Sequence, residues 1–170
     1  MKERGRRALE EAALLDRCNV ALRLRLAMLA EDERRAATAM DCYEAILGIE
    51  PGNALAANNL AAHLTTDPAM VIRAVDLARD AVAARPEFGE FHDTLAQALA
   101  AAGHTAEAAE EAGKAFDLAP KRAGIALRAA FLFRDAGNTV RAREAAERAL
   151  ALAPPEQEAD VRKKLGDLLR

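Results

Sequence analysis

Apolar residues recur along this chain at the three- and four-residue spacing that lines one face of a helix, and no stretch shows the alternation of a half-buried strand. The helical stretches are cut at regular intervals. Prolines stand at Pro51, Pro86, Pro120 and Pro154, separated by 35, 34 and 34 residues, and only six prolines exist in the chain. Each closes a helical segment: Ile49-Glu50-Pro51, Ala84-Arg85-Pro86, Leu118-Ala119-Pro120 and Leu152-Ala153-Pro154. Proline cannot continue a helix and biases its predecessor away from helical geometry, so each marks a stop. Between stops the pattern predicts two helices separated by a turn, Ala102-Gly103-His104 in one unit and Ala136-Gly137-Asn138 in the next, where glycine supplies the left-handed geometry that closes a helix. In the second unit the turn is Thr65-Thr66-Asp67-Pro68. There Asp67 is expected to cap the next helix and Pro68 to fit its first turn, with the extra residue of the 35-residue spacing held between the helices.

Aligned on the prolines, small residues coincide: Ala27, Ala61, Ala96 and Ala130 in the first helices, Ala39, Ala74, Ala108 and Ala142 in the second. A further column reads Ile46, Ala81, Ala115 and Ala149, and larger apolar residues recur as Leu26, Leu60 and Leu95 with Ala129, and as Leu47, Val82, Phe116 and Leu150. A fixed alanine implies close helix contact. Ala96→Leu is therefore expected to overpack such a contact and to cost about 1–3 kcal/mol, an effect read by thermal unfolding.

This pattern resembles the tetratricopeptide repeat, W-x2-L-G-x2-Y…A-x3-F…P over about 34 residues. The third unit carries it as Leu95-Ala96, Leu99, Gly103, Ala108, Ala115 and Pro120, and the first adds Tyr43 four residues after Ala39. The tryptophan place holds Arg23, Ala57, His92 and Ala126, and the second-helix aromatic survives as Tyr43. The fold class implied is all-α, an α-α superhelix or solenoid of antiparallel helix pairs, in a bacterial-type array.

The register extends backwards as well, because Leu9 to Arg17 resembles Tyr43 to Pro51, with Arg17 in the place of the proline. The organisation expected is an N-terminal half-repeat helix over 1–19, four repeats over 20–53, 54–88, 89–122 and 123–156, and a capping helix over 157–170. The half-repeat suggests either a fragment of a longer protein or a degenerate cap. In the last helix Val161, Leu165, Leu168 and Leu169 share one side and Arg162, Lys163 and Lys164 the other, which suits an exposed solenoid end. Helices of about 13 residues are marginal alone, so each pair depends on its neighbours.

Composition changes this picture little. The 52% apolar and 30% charged residues are those of a folded protein, while aromatics at 4% and the absence of Trp leave an interior of small side chains. A net charge of -3 offers no overall attraction to nucleic acid, and Lys2, Arg4, Arg6 and Arg7 read as a solvated, frayed end. Arg23 and Arg25 interrupt the most hydrophobic run, from Val20 to Ala30, so no direct membrane insertion is expected. With no signal-peptide pattern the compartment reads as cytoplasmic, or periplasmic for a fragment of an exported protein. Cys18 and Cys42 lack CxxC spacing and read as reduced structural thiols.

No catalytic, cofactor or metal constellation emerges, and an enzyme is not expected. His63, His92 and His104 are scattered, and Asp93 beside His92 points about 100° away on a helix. The acidic runs Glu31-Asp32-Glu33 and Glu107 to Glu111 read as solvated helix faces, as does Arg141-Ala142-Arg143. What the resemblance implies is a concave groove lined by first helices, where peptides bind. Carried over by position, it holds Leu24, Arg25 and Met28; Asn58, Asn59 and Ala62; Asp93, Thr94 and Gln97; and Leu127, Arg128, Phe131 and Arg134. Asparagine both donates and accepts, which suits a peptide backbone, and Arg128 and Arg134 suit a carboxylate. The residues expected to bind a partner are thus Asn58, Asn59, Asp93, Thr94, Gln97, Arg128, Phe131 and Arg134. Repeats that grip chaperone carboxylate tails need a different set, since here Leu24, Met28, Glu90 and Thr94 occupy the clamp places and Asn59 alone matches. The pairing of Asn58-Asn59-Leu60-Ala61 with Asp93-Thr94-Leu95-Ala96 is similar to repeats in large bacterial envelope-polysaccharide and protein-sorting systems. The function expected is a scaffold for protein–protein interaction. Two alternatives stay open: a noncatalytic segment of a larger bacterial envelope or glycosyltransferase-type protein, and a homo-oligomer assembled through the N-terminal half-repeat.

Overall fold

The computed structural model describes residues 2–16 and 18–169. The described residues form ten α-helices and no strand: α1 Lys2–Leu15, α2 Val20–Asp32, α3 Ala36–Ile49, α4 Ala54–Leu64, α5 Val71–Ala84, α6 Gly89–Ala101, α7 Thr105–Leu118, α8 Ala123–Asp135, α9 Thr139–Ala151 and α10 Glu158–Leu165. A single 3-10 turn, Gly166–Leu169, follows. Each helix packs on the next, α4 reaches α6, and α6 reaches α8, so the architecture is a stack of helix pairs in which contacts run between near neighbours.

Local chemistry places the ends. Asparagine caps three helices: Asn19 accepts from the Leu22 N–H at 3.1 Å, Asn53 from Ala56 at 3.0 Å and Asn138 from Arg141 at 3.1 Å. Helices α3, α5 and α7 stop two residues before Pro51, Pro86 and Pro120. Gly103 and Gly137 close α6 and α8 at φ 83° and 77°, and Arg34, at the end of α2 two repeats before Gly103, adopts the same left-handed geometry at φ 57° without being glycine. The turn of the second unit differs from the expectation. Asp67 does not cap α5; its side chain accepts from the Ala69 N–H at 2.9 Å and its carbonyl from the Met70 N–H at 2.9 Å. That separate turn over 67–70 delays the helix to Val71.

The columns of small residues are the seams of the stack. Ala27, Ala61, Ala96 and Ala130 are completely buried, as are Ala39, Ala74, Ala108 and Ala142. The core is consequently a ribbon: one cluster runs from Ala13 through Tyr43, Ile46 and Leu60 to Leu99, and a second from Ala96 through Phe116 and Phe133 to Leu165. Close approach is tightest at Gly89, where a Cβ would lie 2.9 Å from the Ala119 Cβ and 3.1 Å from the Ala115 carbonyl, so the first turn of α6 rests directly on the end of α7.

Both ends correct the sequence reading. The basic N-terminal stretch is helical rather than frayed, with the Arg6 Nε 3.9 Å from Glu33; the side chains of Lys2 and Arg4, and Arg17 in the proline place, lie outside the described residues. At the other end the helix stops at Leu165, because Gly166 turns the chain at φ 38°. Leu165 is buried, and Val161, Leu168 and Leu169 pack against the second cluster, while Arg162, Lys163 and Lys164 are exposed.

Candidate partner-binding groove

The first helices of the pairs, α2, α4, α6 and α8, carry the side chains expected in the groove. The structure gathers them into three groups rather than one site.

The first group sits where α4 meets α2 and α3. Asn58, itself buried, donates to the Asn59 Oδ1 at 3.0 Å, and Asn59 donates to the Tyr43 hydroxyl at 3.1 Å. Tyr43 donates onward to Glu31 at 3.4 Å, and the His63 Nε2 lies 2.6 Å from the same carboxylate. Burial pushes the Tyr43 phenol above its ordinary value, with Glu31 adding to the rise and the Asn59 hydrogen bond opposing it. Asn59, Tyr43, Glu31 and His63 line, with Met28, Asp32 and Ala62, a cavity of about 450 Å³. Met28 is 64% exposed and offers apolar surface beside the polar network. Glu31 is therefore no mere solvated face.

The second group joins α6 to α8. Arg128 reaches back across one repeat to fork onto Asp93, its Nε 2.9 Å from Oδ1 and its Nη2 also bonded to Oδ2. Gln97 donates to the Asp93 carbonyl at 3.3 Å and to its carboxylate at 3.2 Å, which leaves the Gln97 Oε1 as an open acceptor. Asp93 is buried, so its negative charge is balanced within the fold and is not offered to a partner. Thr94 departs from the expectation: it is buried and its hydroxyl donates to the Glu90 carbonyl one turn back, which removes it from the surface. Beside this group Arg122 pairs with Glu90 at 2.8 Å, and the Glu90 carboxyl is held below its ordinary value by its own backbone N–H and then by Arg122. The third group is Phe131 with Arg134, whose guanidinium lies 5.1 Å from the ring centroid while its Nε donates to Asp135 at 2.8 Å.

Other chemistry is structural. His92, a surface or packing residue in the sequence reading, is buried in the tryptophan place, its Nδ1 2.6 Å from Glu111 and its Nε2 2.9 Å from the Pro86 carbonyl. Glu111 thus departs from the solvated acidic run, its side chain being only 15% exposed. Burial pushes that carboxyl up, and hydrogen bonds from Lys114 and His92 outweigh burial and leave it below its ordinary value. Arg141-Ala142-Arg143 is likewise no plain exposed face: Ala142 is completely buried and Arg141 lies 4.8 Å from the Phe133 ring while bonding Asp117 at 2.8 Å. Cys42 is buried and its thiol pushed up by desolvation, whereas Cys18 is exposed and so not a packing thiol. Among the described residues no group of three His, Cys, Asp or Glu side chains is placed to hold a metal, and no helix is long and apolar enough to cross a membrane.

The sequence did not point to Tyr43, Glu31 and His63, which join Asn59 in the first group, nor to the aromatic cleft at Phe88 and Phe91. One signal was present: Glu31–His63 and Glu90–Arg122 both stand 32 residues apart, two short of the period, which places opposite groups on adjacent first helices.

No family model matches the sequence, and no curated protein does. Solved structures do match. MamA 41-end from Desulfovibrio magneticus RS-1 superposes with a TM-score of 0.75 at 18% identity, over 89% of this chain and 85% of that one. TTC0263, a thermophilic tetratricopeptide-repeat protein of Thermus thermophilus, gives 0.74 at 17% identity over 99% and 90%. YrrB, described as a tetratricopeptide-repeat protein with an unusual peptide-binding site, gives 0.72 at 20% identity over 96% and 84%. The fold of this chain is that of a tetratricopeptide-repeat superhelix.

Proposed function

We propose that this tetratricopeptide-repeat chain is a noncatalytic scaffold that holds an extended polypeptide along the groove face of α2, α4, α6 and α8. Four repeats over 20–53, 54–88, 89–122 and 123–156, preceded by a half-repeat, supply that face in this reading. The supporting observation is that the polar groups facing a ligand are already held in place. Asn59 is held between Asn58 and Tyr43, and Arg128 and Gln97 are held by Asp93, before any partner arrives. Ordering a long side chain at an interface costs about 0.5–1.5 kcal/mol, and groups fixed beforehand avoid that cost. Apolar contact comes from exposed Met28 at one end and half-buried Phe131 under Arg134 at the other. Asn59 retains one N–H, Gln97 an acceptor and Arg128 further N–H groups, a donor-and-acceptor set suited to a peptide backbone and its carboxylates. That YrrB is described as peptide-binding is in keeping with this reading.

The test uses peptides selected from a displayed random library on the purified chain. Asn59→Ala with Arg128→Ala is expected to weaken groove-binding peptides at least tenfold by fluorescence polarisation, about 1.4 kcal/mol, with helical circular dichroism retained. Undiminished affinity of every selected peptide for the double variant would overturn the groove assignment.

A further inference from the structure

The connections between pairs form a second feature, which meets the expected groove residues only at Leu24. The α3–α4 and α5–α6 connections and the start of α2 enclose an open cleft of about 670 Å³, walled by Leu24, Pro51, Leu55, Phe88 and Phe91. Apolar side chains of this size are ordinarily covered. Here Leu55 is 47% and Phe88 40% exposed, and the Phe88 and Phe91 rings stack at 5.3 Å with 24° between planes, giving the cleft a rigid aromatic wall.

Its lip carries one guanidinium and one carboxylate. The Arg85 guanidinium lies 5.6 Å from the Phe88 centroid and has no carboxylate partner among the described residues. Neighbouring arginines are paired, Arg79 with Glu107 at 3.0 Å and Arg122 with Glu90 at 2.8 Å. The acidic residue at the cleft, Glu50, accepts from the neutral Asn53 side chain at 2.8 Å at the cap of α4 and keeps its charge. The Arg85 guanidinium therefore keeps its charge for a partner. It is backed by an aromatic face that fixes the guanidinium and leaves its edge N–H groups for an incoming carboxylate.

We propose that this cleft is a second peptide site, which takes one large apolar side chain of a partner polypeptide whose adjoining residue is aspartate or glutamate. The apolar side chain enters between Leu55 and Phe88, and the carboxylate pairs with Arg85. A volume of this order has room for the side chain together with its flanking backbone.

The probe is a displayed random dodecapeptide library selected on the full chain, with clones scored by polarisation against two surface variants, Leu55→Asn and Arg85→Glu. Both positions are exposed, so the fold is expected to persist in each. A class of peptides is expected that joins a large apolar residue to Asp or Glu, weakens at least tenfold with either variant, and keeps its affinity for the groove variant Asn59→Ala with Arg128→Ala. The absence of any class sensitive to Leu55→Asn would overturn the site. So would a sensitive class with no acidic neighbour, or one bound equally by Arg85→Glu, since the carboxylate pairing would then be wrong. Because the groove variant is scored separately, failure of one site leaves the other readable.

Discussion

Phe116→Ala is expected to lower the stability of the chain by about 3–5 kcal/mol, the usual cost of emptying a buried phenylalanine site. Phe116 is 1% exposed and stands at the centre of the second core cluster, where α7 meets α8 and α9. Its ring meets Phe133 edge-on at 6.3 Å and 88°, and Arg148 covers its other side at 3.9 Å from the centroid. The surrounding columns are alanine, which cannot swing in to refill the space, so the cavity persists and the cost falls toward the upper end. For a chain of this size the midpoint of thermal unfolding should drop by roughly 10 °C. A double-mutant cycle with Phe133→Leu should show a coupling of about 1 kcal/mol from the aromatic pair. A drop of less than about 3 °C in the single variant would mean that the ring is not the keystone of this half of the stack.

His92→Leu should cost about 3 kcal/mol, with a pH signature that an ordinary packing defect lacks. The imidazole ties three segments together: α6, the Glu111 carboxylate on α7, and the carbonyl of Pro86 in the preceding turn. Both partners carry acceptor oxygens, and each ring nitrogen lies within hydrogen-bond distance of one of them. Leucine fills the volume but leaves a largely buried carboxylate with Lys114 alone. The sign follows from Glu111, whose carboxyl lies below its ordinary value in the folded chain. A depressed carboxyl contributes stability that is fully present above the unfolded value, about 4.3, and is lost as pH falls through the folded one. The variant forfeits the part of that contribution that comes from His92. Its deficit should therefore be widest above about pH 5 and should shrink as the pH falls below about 4.3 toward the lowered folded value of Glu111. Urea unfolding on either side of that window, at about pH 6 and about pH 3.5, measures this, and an equal deficit at both would show that His92 acts through packing alone.

These two residues mark the limits of what the sequence conveyed. Phe116 was visible as the largest member of a recurring apolar column, because burial repeats with the helical period and the period repeats with the prolines. His92 was visible only as a departure, a histidine in the tryptophan place. Its partner lies 19 residues away on the other helix of the pair, outside any spacing that a helix alone makes readable. The residues expected in the groove divide in the same way. Asn59, Gln97, Arg128 and Phe131 stand on the first helices by register alone, but register carries no information on which side chains satisfy one another. Thr94 turned to its own backbone, and Asp93 was taken up by Arg128.

By itself, then, the sequence determined the helices, the seams of completely buried alanine and the tetratricopeptide-repeat architecture, because backbone geometry, proline stops and close packing each act within one repeat length. The tertiary structure alone decided which charges are neutralised inside the fold and which, like Arg85, remain open, and where apolar side chains of two connections meet to form a cleft. Those outcomes depend on the relative placement of adjacent repeats to within hydrogen-bond distance, a quantity that no periodicity in the chain encodes.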